Sequence, residues 1–144
     1  RINAIIRGNW FSVSSFCKHC RGMGRMGMNV RECYIEISGD YEAVKERITS
    51  DEKLLRYLKK YAATNLVDRM FDAFDSEDYK QVFELSHELK GMSANLELKR
   101  INSTITEICD SVRGGLKTID ITELMAKVKA EHEHLIKIVN LIEE

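Results

Sequence analysis

"DYKQVFELSHELKGMSANLEL", residues 78–98, has apolar side chains spaced three and four residues apart. This is the period of an α-helix that buries one face. At about 100° per residue, one side of that helix collects the predicted core face: Tyr79, Val82, Leu85, Ser86, Leu89, Met92, Ser93 and Leu96. His87 lies on nearly the opposite side. The segment therefore predicts a helix that exposes a histidine.

Helical patterns also precede this segment. A short helix is predicted over 40–48, with Asp40 as its N-cap. Thr49 and Glu52 then have the spacing of a capping box, and an apolar stripe follows them to about Phe74. This stripe predicts one long helix.

The remaining helices are predicted from their end signals. Asp75 or Ser76 is expected to cap the helix that carries His87. A third long helix should end at the glycine pair 114–115. The last helix is expected to open with the D-x-x-E pattern at 120–123 and to run to the end of the chain.

The composition favours helices over sheets. Proline is absent, there are only 8 glycines, and 31% of the residues are charged, which is typical of long helices and not of a turn-rich β fold. With short connections between the helices, the predicted fold is all-α: an antiparallel up-and-down four-helix bundle with an extra short N-terminal helix. One domain of 144 residues is expected to hold one site at most.

Charge and hydropathy exclude two classes of partner. A net charge of -1 supplies no basic field for nucleic acid. No apolar run approaches the roughly 20 residues of a transmembrane helix, so no membrane association is expected and the cytoplasm is the expected location. The 4 cysteines are irregularly spaced and are interpreted as reduced thiols. A monomer is expected.

The first part of the chain, 1–28, has no sustained helical or strand period. We interpret it as a leader of unclear status, either disordered or an over-extended start, and predict the domain over 29–144. Cys17 and Cys20 form a CxxC pair within it. A structural zinc site takes about four ligands, and no second pair stands at a workable spacing, so no metal site is expected.

The exposed side of the predicted helix carries a candidate site. A lone helical histidine is most often a plain surface or core residue, but the neighbours of His87 favour a function. Gly91 in mid-helix costs on the order of 1 kcal/mol relative to alanine, and its missing Cβ lets another molecule approach. Lys90 adds a mobile positive charge suited to phosphate. The three residues together are typical of a nucleophile that receives an anionic group from a partner protein.

The pattern His87-x-Leu89-Lys90-Gly91-x-x-x-Asn95-Leu96 resembles the signature of histidine phosphotransfer (HPt) domains. These are four-helix phosphocarriers of two-component phosphorelays. The resemblance implies that His87 is the phosphorylated residue, that Lys90 compensates the phosphoryl charge and that Gly91 gives the partner access. Structural roles are expected for the tail of the motif.

The resemblance also implies the partners and the cofactor. The partners would be response-regulator receiver domains and a hybrid sensor kinase. The carrier would have no kinase activity, no ATP site and no cofactor of its own, because the receiver brings the aspartate and its Mg²⁺. Nε2 of His87 is the expected point of attachment.

The surroundings of the motif hold a candidate docking surface and one departure from the family pattern. Phe83, Glu84 and Ala94 are the candidates for docking, although Phe83 fits equally well as a residue at the core boundary. Many family members have glycine after the motif's last leucine, where this chain has Glu97. That substitution leaves the end of the helix uncertain and adds a negative charge near the docking surface.

Two alternatives stay open. The chain is either a phosphocarrier or a non-phosphorylated helical-bundle adaptor that docks receiver domains or other partners. The segment "HEHLI", 132–136, resembles a zinc-protease motif only superficially, because Ile136 stands where the second histidine ligand is required.

Overall fold

The computed structural model describes residues 27–142. Within them the chain forms seven α-helices and one short 3₁₀-helix: α1 Val30–Glu36, α2 Tyr41–Arg47, α3 Asp51–Ala62, α4 Leu66–Asp75, α5 Tyr79–Asn95, α6 Lys99–Ser111, the 3₁₀-helix Arg113–Gly115 and α7 Thr122–Asn140. The pairing of Met28 with Ile142 is an isolated parallel bridge. The prediction of an all-helical chain is confirmed for this part.

The helices enclose one hydrophobic core. α5 packs against α4 and α6, and α7 packs against α6, α3 and α4. The largest side chains that are fully enclosed come from most of the helices and their connections: Tyr34, Tyr61, Leu54, Leu58, Met70, Leu89, Leu98, Ile105, Ile108, Ile121, Met125 and Leu135. α5 therefore packs between α4 and α6 and leaves one face exposed to solvent.

The helix starts differ from the predicted ones. Ser50, and not Thr49, caps α3 by accepting a hydrogen bond from the backbone N–H of Lys53. Asp78, and not Asp75 or Ser76, caps α5. Both errors have one cause: several polar residues with capping side chains stand in a row before each helix, and only the fold selects among them.

The single long helix predicted up to Phe74 is wrong. α3 ends at Ala62, and α4 begins at Leu66 after a short turn. The Thr64 side chain accepts a hydrogen bond from the N–H of Leu66 within this turn. The apolar spacing does not reveal this break, because Leu66 and Met70, which follow the turn, are also buried in the core.

The connection between α6 and α7 confirms one stop signal and corrects one start. Gly114 and Gly115 both have a φ of 76°, which side chains other than glycine rarely adopt. α7 starts at Thr122, and its first turn is held by Asp120, whose carboxylate accepts hydrogen bonds from the N–H and the hydroxyl of Thr122. The predicted capping box with Glu123 does not form.

Two short helices precede α3 where the sequence predicted one. Asn29 and Glu32 form a capping box that starts α1, and Asp40 caps α2 as predicted. Tyr34 of α1 donates a hydrogen bond at 2.8 Å to the carbonyl of Leu96, directly after the end of α5.

Two of the four cysteines lie in the described part, and both are buried free thiols. Burial raises the pKa of the Cys33 thiol to about 12, so this sulfur is a poor nucleophile. Cys17 and Cys20, like the rest of the predicted leader up to 26, lie outside the described residues. Across 27–142 no helix combines the length and the hydropathy needed to cross a membrane.

Candidate functional site

His87 lies in the middle of α5 with its side chain exposed, as the helical pattern predicted. Its imidazole stacks on the ring of Phe83, one helical turn earlier. The ring centroids are 5.9 Å apart and the planes differ by 28°. The imidazole is therefore in offset contact with a hydrocarbon ring.

Gly91 lies one turn beyond His87, on the same exposed side. A Cβ placed on Gly91 would have no atom within 4 Å outside its own helix turn. Packing therefore does not require glycine here, which agrees with the prediction of an open notch beside the imidazole. A glycine in mid-helix destabilises the helix by about 1 kcal/mol, and no packing contact at this position compensates for that.

Lys90 is half-buried, and no carboxylate among residues 27–142 pairs with its ammonium group. Its backbone carbonyl accepts a hydrogen bond from the neighbouring helix, α6. The amide of Asn102, on α6, donates hydrogen bonds to the Lys90 carbonyl at 2.9 Å and to the Ser93 hydroxyl at 2.8 Å. The Ser93 hydroxyl donates to the same carbonyl at 3.2 Å. This arrangement ties α5 to α6 directly behind the exposed face.

The sequence did not predict the role of Asn102. Ser93 was placed on the core face, and it is fully buried. A half-buried asparagine on the next helix has no local signal, since its hydrogen-bond partners are 9 and 12 residues away. Only the packing of α5 against α6 reveals the pair.

A family model matches most of the described chain. The match covers residues 54–137, and its description is "Hpt domain". The chain belongs to the Hpt domain family. No curated protein and no solved structure matches the chain significantly.

The match places α5, with His87, inside this Hpt domain, together with α4, α6 and most of α3 and α7. α1 and α2 lie before the matched region. They nevertheless contact the helix that bears the candidate site, because backbone carbonyls at the carboxyl end of α5 accept hydrogen bonds from them. Arg47 donates to the carbonyls of Ala94 and Asn95, and Asp40 donates its N–H to that of Glu97. Carbonyls that lack a partner at the helix end are satisfied in this way.

Glu97 occupies the position where the Hpt pattern often has glycine. Its φ is 52°, and the N–H of Leu98 bonds to the Ser93 carbonyl at 3.0 Å, as in a Schellman end. The left-handed backbone explains why glycine suits this position. The Glu97 carboxylate is ion-paired with Arg47 and, at 2.5 Å, with Lys99. The helix end is thus well defined, and the added negative charge has two cationic partners.

Replacing Glu97 with glutamine should lower the free energy of unfolding at neutral pH and not at acidic pH. The hydrogen bond from Lys99, aided by the charge of Arg47, lowers the pKa of the Glu97 carboxyl. A lowered folded-state pKa means that the ion pairs stabilise the fold above the ordinary carboxyl range. This contribution disappears as the pH falls through the lowered value. Denaturant unfolding at pH 7 and at about pH 3 measures both limits.

The matched control for that experiment is Glu107→Gln. Glu107 is exposed on α6, and no basic side chain among residues 27–142 pairs with it. Equal destabilisation of Glu97→Gln at both pH values would show that the ion pairs contribute nothing.

The candidate docking residues lie on one helix but differ in exposure. Glu84 and Ala94 are exposed, whereas Phe83 is half-buried and packs against the core. Phe83 therefore does lie at the core boundary, with its ring against His87. Asn95 is exposed and Leu96 is buried, so only the leucine of the motif's tail contributes to the core.

The two histidines of the "HEHLI" segment have different surroundings. His132 is buried with its ring edge-on to Tyr61, at 5.8 Å between centroids, whereas His134 is half-buried. Burial raises the pKa of the neighbouring Glu131, which lies 3.3 Å from Arg100, and lowers the pKa of His132. Within 27–142 there is no group of three His, Cys, Asp or Glu residues that could hold a metal ion.

Proposed function

We propose that this Hpt domain is a phosphohistidine carrier in a His-Asp multistep phosphorelay, and that His87 is the residue that carries the phosphoryl group. The observation that supports this most strongly is the exposed imidazole beside the open position at Gly91, in the middle of α5. The packing around this position does not account for the glycine. Access by a partner does.

The reaction is a transfer between an oxygen and a nitrogen. Nε2 of neutral His87 attacks the phosphorus of an aspartyl phosphate on a receiver domain. An N–P bond forms, the acyl P–O bond breaks, and its electron pair leaves with the receiver's aspartate as a carboxylate. The reverse step passes the phosphoryl group to the aspartate of a second receiver. The transition state is loose, so positioning and charge compensation matter more than acid-base assistance.

Lys90 of this chain and groups of the partner proteins supply the rest of the reaction's requirements. Lys90, which has no carboxylate partner in the described part of the chain, places its ammonium near the charge that develops on the phosphoryl oxygens. The receiver domain supplies the aspartate and the Mg²⁺, and a hybrid sensor kinase supplies the phosphoryl group at the start of the relay. The carrier thus acts as a substrate of these partners, without kinase activity, an ATP site or a cofactor.

The architecture proposed for this role is a four-helix bundle. α3 and α4 together would serve as its first helix, and α5, α6 and α7 as the other three, because each contacts its successor and α7 returns to α3 and α4. α1 and α2 are then the extra N-terminal helices. We further propose that the domain spans 29–144, acts as a monomer and works in the cytoplasm.

The test is transfer from a phosphorylated receiver domain to the full chain. Purified receiver is phosphorylated with labelled acetyl phosphate and mixed with the chain, and the label on each protein is followed. The proposal expects label on the chain that is acid-labile and alkali-stable, as for a phosphoramidate. Binding of the receiver without any label on the chain would support the adaptor alternative instead.

Lys90→Ala should slow this transfer about 10-fold, which corresponds to roughly 1.4 kcal/mol in the barrier. Two unit charges about 4 Å apart interact by about 1 kcal/mol in water and about 4 kcal/mol near a protein surface, so the loss lies within the expected range. Lys90→Arg, which keeps the charge, is the matched control and should retain most of the rate. The rate constants from a time course of label transfer measure the effect, and equal rates for the wild type and Lys90→Ala would remove Lys90 from the mechanism.

A further inference from the structure

The stack between Phe83 and His87 joins a half-buried ring to an exposed one. Phe83 is half-buried and packs against the hydrophobic core, whereas His87 is exposed. The backbone carbonyl of Phe83 also accepts a hydrogen bond from the buried Ser86 hydroxyl at 3.0 Å. The phenyl ring therefore packs against the core on one side and lies against the exposed imidazole on the other.

We infer that Phe83 is a positioning residue for phosphoryl transfer, a role that rests on the proposed function of His87. A side chain on the solvent face of a helix rotates about two bonds, and only some orientations present a ring nitrogen outward. Contact with the Phe83 ring, at 5.9 Å between centroids and 28° between planes, restricts those rotations, while the His87 side chain as a whole stays exposed. The ring reaches the attacking geometry more often as a result.

The expected change in rate follows from the interaction energy of an aromatic pair. An aromatic pair contributes a factor of about 2 to 12 when its interaction energy is converted to a rate ratio. If the stack favours the reactive orientation by that factor, its loss lowers the rate of phosphorylation by the same factor. The affinity for a receiver need not change.

The experiment uses a small phosphoryl donor that has no surface to dock on the chain. It therefore separates an effect on the orientation of His87 from an effect on receiver binding. Phosphoramidate, a small phosphoryl donor, reacts with the full chain: the imidazole nitrogen forms an N–P bond, the donor's P–N bond breaks, and ammonia leaves with the proton from the imidazole. The rate is compared for the wild type, Phe83→Leu and Phe83→Tyr. Leucine keeps an apolar side chain at the core boundary without a flat ring, and tyrosine restores the ring.

We expect Phe83→Leu to react with phosphoramidate about 2 to 12 times more slowly than the wild type, and Phe83→Tyr to react at close to the wild-type rate. NMR gives a readout that a merely structural role would not move. The three-bond couplings about the Cα–Cβ bond of His87 should show one preferred rotamer in the wild type and in Phe83→Tyr, and averaged rotamers in Phe83→Leu.

The inference is overturned if Phe83→Leu and the wild type react equally fast with phosphoramidate, or if the wild type does not react at all. It is also overturned if only transfer from the receiver is slowed, through a higher KM, because Phe83 would then be a docking residue. Failure of the proposed function looks different. In that case the receiver transfers no phosphoryl group to the wild type, while phosphoramidate still distinguishes the Phe83 variants.

Discussion

His87→Gln is expected to reduce phosphoryl acceptance from a receiver domain to the level of a sample that lacks the chain. Glutamine has similar bulk and polarity, but its amide nitrogen is not a nucleophile. Because His87 is exposed on α5, the fold should not depend on it, and the free energy of unfolding should change by no more than about 0.5 kcal/mol. Label transfer and denaturant unfolding, measured on the same preparation, check both statements.

His134→Gln is the matched control for this substitution. His134 is half-buried on α7, outside the helix that carries the candidate site. The control should accept phosphoryl groups as the wild type does. Acceptance by His87→Gln at the wild-type rate would place the phosphorylated residue elsewhere and reject the assignment.

Gly91→Leu should have two effects of opposite sign. Leucine is a better helix former than glycine by about 0.8 kcal/mol, and a Cβ at this position meets nothing within 4 Å, so the Tm should rise. The same side chain fills the space next to His87 that a receiver must enter. Displacing the reacting groups by about 1 Å can cost about 100-fold in rate, and we expect a loss of at least this size in transfer.

Gly91→Ala is the graded control for that prediction. Alanine should give a similar rise in Tm with only a methyl group in the notch, and therefore a smaller loss of transfer. Thermal unfolding and the transfer time course are the two measurements. A Gly91→Leu variant that is more stable and transfers at the wild-type rate would show that the glycine has no role in access.

The sequence predicted the face of α5 correctly because the helical period depends only on local spacing. Of the eight residues placed on its core face, Tyr79 and Met92 are half-buried and the others are buried. The exposure of His87 and the open space at Gly91 follow from the same geometry.

The predictions are wrong where contacts between distant residues, and not the local sequence pattern, determine the structure. The apolar stripe from α3 continues into α4, so periodicity alone could not find the turn at 63–65. The ties from Asn102 and Arg47 to α5 join residues that are distant in sequence. Glu97 was recognised as a departure from the family pattern, but its ion pair with Arg47 depends on the position of α2 beside the end of α5.

The central claim is that the phosphoryl group is carried on Nε2 of His87. After transfer from a phosphorylated receiver, NMR of the ¹⁵N-labelled chain can identify the ring nitrogen that is coupled to phosphorus, and mass spectrometry can identify the residue. We predict one phosphoryl group per chain, bound to Nε2 of His87. A phosphoryl group on any other residue, or none on the chain while the receiver remains phosphorylated, would contradict this account.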